Sequence, residues 1–326
     1  MAYRLKIGAR LDKDTRKLLT AQIGRAVGYL AGTIDDSASS IHATRKCLKR
    51  SRSILRIVEP ALSRKSFRAT DRTFRDIARL LSHDRDREVI GDTLAMLSAK
   101  AAGGAKAAIG AAIDELDAGS PAPVEIENRE EKVALAIARL QACEPVIAAL
   151  DIRKPGIKTL AQGFAATYGD GRKCLKTAYR LQSDEAFHTF RKSLQHHWRH
   201  CQLLAQAWPE LLNVRVAAAR ELSQMVGIDH DLSLVAGHFA ESTRSALDPA
   251  TRTAVITAAR AEQARLRAEV KPLAGRLYAH KATTMEHLIL DLWPAAIRLA
   301  QHHRTQEPAP ELSLDEFAPP HAVARH

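Results

Sequence analysis

Two long stretches of this chain hold no acid: neither Asp nor Glu occurs between Asp36 and Glu59, nor again between Glu185 and Glu210. A solvated helix face ordinarily mixes signs, because like charges four apart repel and opposite ones attract by a few tenths of a kcal/mol. Other shortages narrow the class further. Aromatics make up 5% of the chain and no alternating strand pattern is present, which leaves little for a sheet to be built from. No apolar run approaches the roughly 18 residues needed to cross a bilayer, and the opening MAYRLKIGAR reads as neither signal peptide nor anchor. The four cysteines, Cys47, Cys143, Cys174 and Cys201, stand singly with no CxxC pair. That spacing excludes a disulfide framework and a cysteine zinc site, and it fits buried free thiols. A soluble, cytoplasmic protein without membrane contact is expected.

What remains is an Ala- and Leu-rich chain of 326 residues, 46% hydrophobic, with a net charge of +12. That length supports one substantial core or two, and that charge calls for a polyanionic partner. The fold class expected is all-α. The stretch 41–58 is an amphipathic helix on which His42, Arg45, Lys49, Arg52 and Arg56 form one stripe, with Lys46 and Arg50 beside it. Such a stripe is either a solvated basic face or one whose self-repulsion an external anion relieves. A helix over 63–82 repeats the design: Arg64, Arg68, Arg72, Arg75 and Arg79 share a narrow sector about 22 Å long. Asp71 and Asp76 lie nearby and offer these arginines internal partners as an alternative. In the second half Lys173, Lys176 and Arg180 share one side of a short helix. His188, Arg191, Lys192 and Arg199 fall on one face of a helix over 187–204.

Between these lie a first helix over 10–31, a turn at 83–86, helices over 85–102 and up to 117 separated by Gly103–Gly104, a loop at 118–125 and a helix over 126–150 bent near Pro145. The boundary between halves is expected at 153–156. Beyond it come a helix over 157–168, a turn at Gly169–Gly171, a helix from Pro209 to Met225, a turn at 226–231, and helices over 231–246, 249–280 and 282–303, the last kinked or split at Trp293–Pro294. Asp86 and Asp231 are read as acids at helix starts, where the dipole favours them. The organisation expected is a first helical half over 1–152, a second over 157–303, and a disordered Pro-rich tail over 304–326.

His42, Arg45 and Lys46 recur as His188, Arg191 and Lys192 at an offset of 146, and Arg85–Asp86 recurs as His230–Asp231 at an offset of 145. Two motif pairs at one spacing point to an internal duplication. The order H-x-x-R-K-x-x-K-x-x-R, H-x-x-R-K, the RD and HD turns, the opening YRL and the late RLYAHK resembles the CHAD domain, the conserved histidine α-helical domain, over about residues 1–303. The resemblance implies two pseudo-symmetric helical bundles with a basic groove or pore between them, binding inorganic polyphosphate and associating with polyphosphate granules. It implies ligands at His42, Arg45, Lys46, Lys49 and Arg52, and at His188, Arg191, Lys192 and Arg199. Gln195 and Trp198 depart from the pattern of the first copy. We extend the candidate set along the stripes to Arg56, Arg68, Arg72, Arg75, Arg79, Lys173, Lys176 and Arg180.

A flexible row of tetrahedral anions needs closely spaced fixed cations and little else. No catalytic residue, cofactor or metal site is assigned. The histidine cluster His196, His197 and His200 is read as at most an adventitious metal trap. A polyphosphate-processing enzyme would need carboxylates holding Mg²⁺ beside the cations, which both acid-free helices withhold. A nucleic-acid-binding protein would need aromatic platforms or a recognition motif, so nucleic acid is expected only as a nonspecific competitor.

Overall fold

The computed structural model describes residues 3–34, 40–81, 86–118, 129–153, 155–241 and 245–306. The turn expected at 83–86, the loop at 118–125 and the tail from 304 fall wholly or mostly outside them. Among the described residues the chain is all-helical: α1 (Leu11–Leu30), α2 (Ser40–Ile57), α3 (Arg64–Leu80), α4 (Asp86–Lys100), α5 (Gly103–Ala118), α6 (Arg129–Ala148), α7 (Ile157–Leu181), α8 (Asp184–Leu203), α9 (Pro209–Ala240), α10 (Pro249–Leu277) and α11 (Ala282–Gln306). Single 3₁₀ turns follow α2 at Glu59–Ala61 and α8 at Ala205–Ala207. Helix starts carry their usual signatures. The side chains of Ser63 and Ser183 accept from the backbone of Ser66 and Ala186, and Asp248 accepts from Ala250 and Thr251 ahead of Pro249. Gly103, at φ +55, makes the break after α4.

Two buried cores organise these helices. The larger joins Leu19, Leu48, Leu55, Phe74 and Leu140 of the N-terminal half to Phe164, Phe190, Leu222, Leu277 and Ile289. The smaller gathers Leu94 of α4 and Ile109 of α5 against Leu232, Phe239 and Val255. The long helices α9 and α10 pass through both: α9 enters the larger core by Leu212 and Leu222 and the smaller by Leu232 and Phe239.

That continuity corrects two expected turns. Gly169–Gly171 lies inside α7, where Gly171 faces the buried Tyr278, whose hydroxyl occupies the space a Cβ would take. Residues 226–231 lie inside α9, so Asp231 stands in mid-helix and not at a helix start, whereas Asp86 does open α4. In both stretches glycine serves close packing between helices. Likewise α11 runs unbroken through Trp293 and Pro294. The four cysteines are free, as expected, three buried and Cys174 half-buried.

Candidate functional site

The two acid-free helices meet. α2 buries Cys47, Leu48, Ile54 and Leu55 and packs on both α7 and α8. Ser53, in the middle of its basic sequence, is the docking point. Its backbone oxygen accepts from His200 Nε2 at 2.8 Å, and its hydroxyl lies 2.9 Å from His196 Nδ1. The same hydroxyl donates its one proton to Lys49 O at 3.1 Å, so His196 is the donor in the second contact. Both histidines come from α8, which makes them the link between the helices. Burial holds each neutral, His200 down at about 3 and His196 well below the usual range, with Arg56 reinforcing the effect on both. His197 is fully buried among Phe164, Tyr168 and Tyr278. The three histidines are therefore packing and docking residues, and no cluster suited to a metal occurs among the described residues.

This docking brings positive charges from the two helices into one region. His188 is half-buried, its ring centre 4.3 Å from that of His230 on α9 with the two planes tilted by 31°. It is held at about 4, first by burial and then by His230, Lys192, Arg191 and, from α2, Lys49. Lys46, Lys49 and Lys192 are exposed; His42, Arg45, Arg56 and Arg191 are half-buried. The guanidinium of Arg191 lies over Gly227 of α9, 2.9 Å from where a Cβ would stand.

A scan against protein-family models matches the CHAD domain over residues 17–240, more than half of the chain. The chain belongs to the CHAD family. No curated protein matches it. The match runs from within α1 to the end of α9 and stops short of α10 and α11, a narrower span than the motifs alone suggest.

Within this CHAD domain the candidate cations do not all stand alike. Arg45 donates to Leu81 O at the end of α3, and Arg52 is held in a two-pronged bridge by Asp71 of α3 at 2.7 and 3.2 Å. Arg56 comes within 3.8 Å of Asp170 on α7. Arg68, Arg72, Arg75 and Arg79 project from the exposed side of α3, opposite Phe74 and Ile77, with Arg79 3.6 Å from Asp76. Lys173, Lys176 and Arg180 are exposed along the C-terminal half of α7. Arg199 departs from its expected place on an open face. It is 5% exposed, donates to Gln195 O and lies 4.4 Å over the ring of Trp198, because the docking of α8 on α2 turns this position inward.

A cleft of about 740 Å³ beside the start of α8 also gathers cations, but there Arg260 and Arg267 are bound by Asp184 at 2.7 and 2.6 Å, and Arg267 by Asp229 at 2.6 Å. The CHAD residues that sequence reading passed over are Ser53 and His230. Ser53 is one serine among several, and its partners lie 143 and 147 residues away. His230 was visible only as half of a turn motif.

Proposed function

We propose that this CHAD protein binds inorganic polyphosphate, without turning it over, along a groove floored by α2 and α8. The observation that carries the reading is the docking of α8 histidines on Ser53, which sets Lys49 beside His188 and joins two acid-free stripes. Lys and Arg repeating about every 5 Å along each helix suit successive phosphates of a thin chain. The duplication behind the two stripes has support in the element order. Shifted by 146 residues, the first residue of α1 falls on that of α7, the turn Glu59–Ala61 on Ala205–Ala207, and the first residue of α5 on that of α10. The acidic residues near the stripe, Asp71 and Asp170, face arginines and thereby temper the charge.

Titration at two salt concentrations with long-chain polyphosphate, pyrophosphate, ATP and single- and double-stranded DNA tests the reading, with phosphate release followed throughout. Long polyphosphate should bind tightest, with affinity falling steeply as salt rises through counterion release. Arg45→Ala combined with Lys49→Ala should weaken it by at least tenfold, about 1.4 kcal/mol. Equal affinity for DNA removes the reading, and Mg²⁺-dependent phosphate release replaces it with an enzyme. Association with polyphosphate granules in the cytoplasm follows as the cellular setting of this proposal.

A further inference from the structure

Among the arginines whose Nε is buried without an acceptor, Arg199 and Arg50 adjoin one another at Tyr3. Arg199 is 5% exposed, and its Nε has no acceptor; Arg50 Nε is likewise buried without one. The two flank Tyr3. The Arg50 guanidinium sits 5.5 Å from the centre of the Tyr3 ring, the Tyr3 hydroxyl donates to Arg50 O at 3.2 Å, and both charges act on the phenol. Arg50 and Arg52 in turn act on Arg199, which burial and these like charges hold down at about 10. Arg52 has its carboxylate, Asp71, but none of the described residues forms a salt bridge with Arg50 or Arg199. The contrast with Arg267 is direct. That guanidinium, 13% exposed, is met by Asp229, Asp184 and the backbone oxygen of Gln182. Burying a guanidinium beside like charges is costly unless an anion balances it.

We propose that Arg50 and Arg199 form an internal receptor for a single phosphoryl group, closed on one side by Tyr3. N–H donors on two different helices beside one phenol suit a tetrahedral oxyanion, and one face of the Trp198 ring is already covered by Arg199. The occupant is either free inorganic phosphate or the terminal group of a bound polyphosphate. The second source rests on the polyphosphate reading above. On that source the receptor gives the protein a way to register chain ends as distinct from chain interiors.

Calorimetry and thermal denaturation of the full chain separate the cases, using inorganic phosphate, linear tripolyphosphate, cyclic trimetaphosphate, which has no end, and long-chain polyphosphate. Linear tripolyphosphate should bind at least tenfold more tightly than the cyclic form. Arg199→Met and Arg50→Gln should each abolish that preference, and Arg50→Gln should change long-chain affinity less than threefold. A rise in midpoint with inorganic phosphate in the wild type but in neither variant identifies the free anion as occupant. Arg50 is only half-buried, so Arg50→Gln remains informative if Arg199→Met does not fold. If wild type and variants bind all three small phosphates alike, with long-chain binding intact, the receptor is overturned and the groove stands. If the wild type fails to bind the long chain, the groove reading falls, and the response to inorganic phosphate decides the receptor alone.

Discussion

Arg191 holds its place because residue 227 has no side chain. A Cβ there would stand 2.9 Å from the Arg191 Nη2 atom, the free end of a flexible side chain, so the guanidinium would move and the helices would not. Glycine inside a helix costs up to about 1 kcal/mol relative to alanine. Gly227→Ala should therefore leave the fold as stable or up to ~1 kcal/mol more stable, while polyphosphate affinity falls severalfold as Arg191 is displaced. Denaturant unfolding beside a binding titration checks the pair, and unchanged binding would remove Arg191 from the ligand set. At this scale the cations were legible, because residue type and spacing are all a charge stripe requires. The glycines were not. Gly171 and Gly227 look like turn residues in the sequence, and only Tyr278 and Arg191, distant in the chain, reveal that they make room for another side chain.

Helix contacts obey the same rule at larger size. α7 crosses α2 so closely at Gly163 that any Cβ would run into the backbone carbonyl of Ile57. Backbone cannot swing aside as a guanidinium does. Gly163→Ala should cost roughly 1–3 kcal/mol through overpacking, read as a lowered denaturation midpoint. Gly24→Ala, where nothing lies within 4 Å, serves as the control and should be neutral or stabilising. A Gly163 variant as stable as wild type would mean that α2 and α7 do not approach this closely. The amphipathic helices themselves were readable: α2 was expected over 41–58 and spans Ser40–Ile57. Their pairing was not, because the Ser53, His196 and His200 contacts leave no periodic trace. Nor was the length of α9, since in the first half one helix ends at Leu80 and another begins at Asp86 where the second half runs straight, and a repeat suggested the same break twice.

For the molecule as a whole, four buried or half-buried histidines set a direction with pH. His188, His196, His197 and His200 are all held below their ordinary value, chiefly by burial. A histidine kept neutral in the folded state takes up its proton on unfolding. Its stabilising share is complete above an unfolded value of about 6.5 and is lost as pH falls towards the folded value. Near pH 5 unfolding should thus bind roughly three to four protons through these four groups. Thermal midpoints measured from pH 7.5 to 4.5 should drop steadily below about 6.5. A flat profile would contradict their burial. A bound polyanion raises the proton affinity of His188, so long-chain polyphosphate should offset part of the loss.

The short segment before α1 closes on the far half: Leu5 N donates to Leu203 O and Ile7 N to Gln206 Oε1, while Arg153 N, ahead of α7, donates back to Ala61 O. Synthesis proceeds from one end, so the opening residues have nothing to clasp until some two hundred more have left the ribosome. Over that interval α2 emerges before α8 exists to dock on it. The clasp that joins the halves thus closes only once both of its sides have been made.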